Sequence, residues 1–118
     1  MYRVFVYGTL KRGFCRHSAL ESQKFLGEAA TEPGYMLYDP GDYPGMVRCE
    51  QGRAIEGELF EVDHACLLNL DLIEGVDEGY YSREPVRLMP PWRDESAMTY
   101  LYQKPIDGFS AIRGWHSR

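Results

Sequence analysis

The sequence is poor in the features that would take it out of the ordinary globular class. Its three cysteines, Cys15, Cys49 and Cys66, are odd in number, far apart and without a Cys-x-x-Cys spacing. Reduced thiols are therefore a simpler reading than a disulfide framework. No apolar run approaches the roughly 20 residues of a spanning helix, and the N-terminus enters a strand pattern directly instead of a secretory segment. A cytoplasmic protein away from the membrane is expected. Positive charge is also short, with 13 Lys and Arg against 18 Asp and Glu and a formal balance of −5. Such a surface repels phosphate backbones unless its cations gather on one face, and the one local cluster is Lys11-Arg12 with Arg16, so nucleic acid is not an expected partner. No repeat, linker or low-complexity stretch divides the 118 residues, and residues 1–118 are expected to form one domain.

What is present suffices for a core. Hydrophobic residues make up 44% of the chain, with nine Tyr, five Phe and two Trp, and a domain of this length buries roughly two-thirds of its unfolded surface. Tyr2 to Tyr7 reads as a strand of β-branched and aromatic residues that stops abruptly at Gly8-Thr9-Leu10. His17 to Gly27 carries Leu20, Lys24 and Phe25-Leu26 at partly helical spacing, which predicts a short helix stopped by Gly27. Gly34 to Met46 reads as a strand opening into a Gly/Pro/Asp-rich loop, and Ala54 to Val62 as a strand bent at Gly57. Asp63 is placed to cap a helix that runs to Glu74 and is closed by Gly75. Tyr81–Leu88 and Ser96–Lys104 follow as strands, the second alternating Met98, Tyr100 and Tyr102 on one face. Pro90-Pro91-Trp92 reads as a hairpin connection, and the tail from Gly108 as irregular. Strands outnumber helices and do not alternate with them as a doubly wound sheet requires. The expected fold is α+β, a small mixed β-barrel or open sheet with two short helices packed on it.

One residue breaks the pattern. On a wheel at 100° per residue, Cys66, Leu67, Leu70 and Ile73 form an apolar face, expected to lie buried on the strands, and Glu74 falls about 20° from Leu67 on that same face. Two readings of Glu74 stand: a side chain that leaves with the chain for water in the last turn, or a carboxyl turned toward the core. In the second case burial and the negative end of the helix both raise its pKa, which suits it to take and return a proton near neutral pH. Asp71, at the edge of the face, reads as a solvated flank.

The abrupt strand end also has a chemical reading. Glycine after a strand lets backbone N–H groups approach a small ligand, so Gly8-Thr9-Leu10 is suited to an anion or a carbonyl oxygen. It is not a nucleotide loop, because Phe14 stands where the phosphate-loop motif requires Lys and no long helix follows. Cys15 with His17 raises the weaker idea of a thiol nucleophile. His17, His64 and His116 have no metal-ligand spacing with the cysteines.

VFVYGTLKRG, GYMLYDPGDYPG, GELFEV leading into LDLIEGVDEGYYSREPV, and AMTYLYQKP together resemble the γ-glutamylcyclotransferase-like family, over nearly the whole chain. The resemblance implies a small barrel with a cavity, a floor made by Tyr7, Gly8, Thr9 and Leu10, and Glu74 as acid/base. The implied reaction cleaves a γ-glutamyl amide without water, metal or cofactor. The substrate's α-amine attacks its own γ-carbonyl to give 5-oxoproline and a free amine. Tyr43, Pro44 and Tyr81 are the candidates for the wall that keeps the glutamyl chain curled, and the Tyr81 hydroxyl is expected to reach the site. Arg83 either points the same way or makes an ion pair at the rim. The expected partner is a small γ-glutamyl substrate, met by a monomer or weak homodimer. Members of the family without the glutamate keep the fold, so a non-catalytic metabolite-binding or interaction module is the alternative. The sequence leaves open whether the amide nitrogen carries an amino acid, a lysine ε-amine, a polyamine or a carrier-bound amine.

Overall fold

In the computed structural model, which describes residues 1–115, the elements in chain order are β1 (Tyr2–Val6), a 3-10 turn (His17–Leu20), β2 (Lys24–Ala30), β3 (Tyr35–Asp39), β4 (Gly45–Arg48), β5 (Glu56–Val62), α1 (His64–Ile73), β6 (Tyr81–Val86), β7 (Ala97–Tyr102) and β8 (Ser110–Ile112). The opening run becomes a central strand. It pairs antiparallel with β5 and parallel with β7, inside a five-stranded sheet of order β2-β5-β1-β7-β6, beside a three-stranded sheet of order β4-β3-β8.

The consecutive apolar residues of β1 make sense because the large sheet is covered on both faces. Val4 and Val6 join Phe60, Val62, Leu67, Leu70 and Tyr100 in one cluster under α1. Phe5 and Tyr7 point the other way, into a second cluster with Leu37, Met46, Leu59 and Leu101 against the small sheet. The alternation of β7 divides likewise: Met98, Tyr100 and Tyr102 go with the helix side, Ala97 and Leu101 with the other.

The architecture is α+β as expected, but the large sheet does not close into a barrel. Its outer strands β2 and β6 meet only through a bridge beyond their ends, Thr31 with Leu88. The short helix expected over residues 17–27 is also corrected. Only His17–Leu20 turns, as a single 3-10 segment, and Lys24–Ala30 is a strand paired with β5. Phe25 and Leu26 pack into opposite clusters, which is strand behaviour; both faces being apolar, the period-2 signal disappears from the sequence. Gly27 stands at a bulge in that pairing and stops no helix. The tail expected to be irregular contributes β8, three residues too short to show a pattern, which pairs with β3.

The helix expected from Asp63 to Glu74 forms as α1. Asp63 is its N-cap, with a side-chain oxygen accepting from the Cys66 N–H at 2.7 Å. Cys66, Leu67 and Leu70 are buried as expected, whereas Ile73 is only partly so, because it faces an open groove beside the 3-10 turn. Among the described residues no helix is long and apolar enough to cross a membrane.

Candidate active site

The end of α1 decides where Glu74 points. Gly75 adopts φ +65, a left-handed conformation that a side chain resists. This allows the chain to fold back with the Gly75 N–H on the Leu72 carbonyl (3.1 Å) and the Val76 N–H on the Asp71 carbonyl (3.0 Å). The pair is a Schellman motif, which satisfies the Asp71 and Leu72 carbonyls at the helix end. Glu74 is its C-cap, and its carboxyl enters a recess also lined by Tyr7, Gly8, Thr9, Leu10, Tyr43, Pro44 and Tyr81. Glu74 and the residues named from the sequence for the floor and wall therefore line one recess, which Arg83, Cys15 and His17 do not. Phe5, Val6 and Tyr100 complete the lining, and the empty space between these atoms, counting the open mouth, is about 310 Å³.

The floor is the turn that ends β1. The Lys11 N–H bonds the Gly8 carbonyl (3.1 Å), the Arg16 N–H bonds the Thr9 carbonyl (2.9 Å), and His17 Nδ1 lies 3.0 Å from the Leu10 carbonyl oxygen. The loop carbonyls are thus occupied, while the N–H groups of Gly8, Thr9 and Leu10 find no acceptor among the described residues. Free amide donors in a sheltered turn are a site for an oxyanion or carboxylate.

Two buried tyrosines hold the opposite wall. The Tyr7 hydroxyl donates to the Tyr100 carbonyl at 2.6 Å and accepts from the Met46 N–H at 3.2 Å. The Tyr81 hydroxyl donates to the Pro44 carbonyl at 2.7 Å. Tyr81 does reach the site, but its proton is committed to that wall and leaves only lone pairs toward a ligand. Gly8 lets the wall approach, since a Cβ there would lie 2.6 Å from Pro44 Cγ.

In this setting the Glu74 carboxyl makes no hydrogen bond among the described residues. Its pKa rises from the ordinary 4.5 to about 7, mainly because burial disfavours the charged form, with the Arg16 guanidinium pulling it partly back. Burial also pushes up the hydroxyls of Tyr7, Tyr81 and Tyr100, helped in each case by the charge on Glu74. They remain protonated, so Glu74 is the group of the recess that changes charge near neutrality.

Some assignments change. Asp71 is no solvated flank: it is half-buried, accepts from the Tyr100 hydroxyl at 2.7 Å and stands 3.7 Å from Arg83 Nε. Arg83 takes the ion-pair role. Asp71 lies three residues before Glu74, and Tyr100 was visible only as one of an alternating set, so neither could be tied to the site before the sheet register was known. Cys15 is exposed, and no contact joins it to His17, whose ring packs on Phe60. The thiol pair is not assembled. His116 lies outside the described residues. Among those described, no three His, Cys, Asp or Glu side chains group so as to hold a metal ion.

The chain has counterparts among known sequences. Residues 4–116 match the family described as Gamma-glutamyl cyclotransferase, AIG2-like. The chain belongs to this family. Within the γ-glutamylcyclotransferase family it is 44% identical to a Vibrio cholerae protein named "Putative gamma-glutamylcyclotransferase", over 86% of this chain and 82% of that one. It is 33% identical to the "Gamma-glutamylcyclotransferase family protein YtfP" of Escherichia coli K12, over 93% and 90% of the two chains. The solved structure of a mouse AIG2-like protein superposes with a TM-score of 0.80 over 98% of this chain and 88% of that one; at 24% identity the likeness is one of fold.

Proposed function

We propose that this member of the γ-glutamylcyclotransferase family cleaves γ-glutamyl amides by intramolecular cyclisation. The observation that carries the reading is a carboxyl with a pKa of about 7 opposite a turn of free amide N–H groups. Glu74, as carboxylate, takes a proton from the substrate's α-ammonium. The freed amine attacks the γ-carbonyl carbon, and the N–H groups of Gly8 to Leu10 hold the developing oxyanion. Glu74 then returns its proton to the amide nitrogen, and the carbon–nitrogen bond breaks as the oxyanion reforms the carbonyl. The second hydrogen of the ring nitrogen passes through the freed Glu74 carboxylate to the departing amine, and 5-oxoproline and an ammonium leave. No water is consumed. Tyr43, Pro44 and Tyr81 keep the glutamyl chain curled, and holding reacting groups of one molecule together can lower the barrier by several kcal/mol.

Incubation with a mixed set of γ-glutamyl amides, read by mass spectrometry for 5-oxoproline, tests this directly. Release from at least one amide is expected. Silence across a broad set, with binding retained, would favour the non-catalytic binding module instead.

The pH profile tests the assignment to Glu74. The free enzyme needs the carboxylate, whose fraction rises with pH through about 7. Below that pH kcat/KM should fall about tenfold per unit, to roughly a hundredth of the plateau at pH 5. A carboxyl of ordinary pKa would leave kcat/KM nearly flat from pH 5.5 to 8, and such a profile would remove the raised pKa on which the reading rests.

A further inference from the structure

Three cations follow the Tyr7–Leu10 turn, and the structure gives them unlike surroundings. Lys11 Nζ donates to the Trp115 carbonyl at 2.7 Å. Arg12 is tied to Glu58 through its backbone N–H (2.8 Å) and its Nε (3.3 Å), with its guanidinium over the Phe25 ring. Arg16 has no such engagement. Among the described residues no carboxylate stands within ion-pair distance of it, and its side chain makes no hydrogen bond. Its guanidinium instead lies 5.3 Å from the centre of the Tyr43 ring, a wall of the recess, and its field reaches the Glu74 carboxyl. The backbone bond from its N–H to the Thr9 carbonyl keeps this charge beside the floor of the site.

Arg16 is not part of the recess lining. It belongs to a second, open groove between the 3-10 turn and α1, whose other lining residues are Cys15, Ser18, Ala19, Asn69 and Ile73. That lining holds no other Lys or Arg and no Asp, Glu or His. The Arg16 guanidinium of the groove lies against the Tyr43 ring of the recess, so the two adjoin at Arg16. In the cyclisation proposed above, the glutamyl part must fill the recess, with its α-amine at Glu74 and its γ-carbonyl at the turn. Whatever hangs on the amide nitrogen then projects through the mouth, past Arg16. A guanidinium with no carboxylate at ion-pair distance among the described residues, on a chain of net charge −5, attracts a carboxylate by charge and by its two-pronged donor geometry and repels an ammonium.

We propose that Arg16 selects γ-glutamyl amides whose leaving amine carries a carboxylate, the γ-glutamyl amino acids, over amides of polyamines or neutral amines. The proposal rests on the cyclotransferase reading but is tested separately from it. The decisive pair is γ-glutamylglycine and γ-glutamylglycinamide, which differ only in the terminal carboxylate. The wild type should favour γ-glutamylglycine by about 10- to 100-fold in kcat/KM. Arg16→Gln should bring the ratio to within about threefold, the larger loss falling on γ-glutamylglycine. Arg16→Glu should invert it. Removing Arg16 also lets the Glu74 pKa rise further, but this affects both substrates alike and leaves the ratio untouched. Equal wild-type turnover of the two, or an equal fall for both in Arg16→Gln, would overturn the proposal; the second result would assign Arg16 to the glutamyl part common to both. Calorimetric titration of the same compounds supplies a readout independent of turnover. Binding of γ-glutamylglycine that depends on Arg16, without 5-oxoproline from any amide, would remove the reaction and keep the anion site. Turnover without discrimination would do the reverse, and absence of both would remove the two together.

Discussion

Glu74→Gln is expected to release 5-oxoproline at least about a hundredfold more slowly than the wild type while still binding a γ-glutamyl ligand. The amide keeps the size and hydrogen-bonding capacity of the carboxyl but can neither accept the α-ammonium proton nor hand it on. Stability should move the other way. The folded carboxyl titrates near 7 and an exposed one near 4.5, so between these values the native state holds the proton more tightly. Wild-type stability relative to the variant is therefore highest below about pH 4.5 and declines as pH rises to about 7. The decline is at most about 3 kcal/mol, less to the extent that water at the mouth solvates the charge. Single-turnover assays, calorimetry and denaturant titrations at pH 5 and 8 check the three parts. Near-wild-type turnover would remove Glu74 from the mechanism, and loss of folding together with binding would make its role structural.

Gly8→Val should cost about tenfold or more in affinity for a γ-glutamyl ligand while the protein remains folded. Gly8 is not among the glycines of positive φ, so valine meets no backbone strain there. The obstacle is space: the new Cβ would fall 2.6 and 2.8 Å from Pro44 Cγ and Cδ. Pro44 retreats poorly, because Tyr81 grips its carbonyl and Tyr7 the following Met46 N–H. The added methyls therefore take the place of the ligand at an estimated overpacking cost of about 1–3 kcal/mol. Unchanged affinity in a folded Gly8→Val protein would take the turn out of the site.

Parts of this arrangement were legible in the amino-acid order and parts were not, for separable reasons. Glu74 could be placed on the apolar face from sequence because a helix repeats every 3.6 residues, while its place in the last turn before Gly75 left open whether the side chain goes to water or to the core. Gly8 stood out because a glycine closing an apolar strand needs a reason. The strand Lys24–Ala30 could not be seen, since Phe25 and Leu26 are both partly buried on opposite faces and their adjacency imitates a helix. Asp71, Tyr100 and Arg83 form their network across α1, β7 and β6, and only the register of those elements brings them together. Arg16 looked like one of three basic residues in a row of loops. What distinguishes it is that Trp115 and Glu58 engage the other two, and both partners lie far along the chain.

The central position of β1 also has a consequence in time. Val4 is paired with Phe60 on one side and Met98 on the other. At roughly 5–20 residues per second of synthesis, the ribosome needs on the order of five to twenty seconds after making Val4 to supply the second partner. Throughout that interval Val4, Phe5 and Val6, all buried in the finished protein, lack at least one of their two flanking strands. The Gly8–Leu10 turn hangs directly from it. Assembly of the recess must therefore wait for β7, and β1, made before every other strand of the sheet, belongs to the last part of it to become competent.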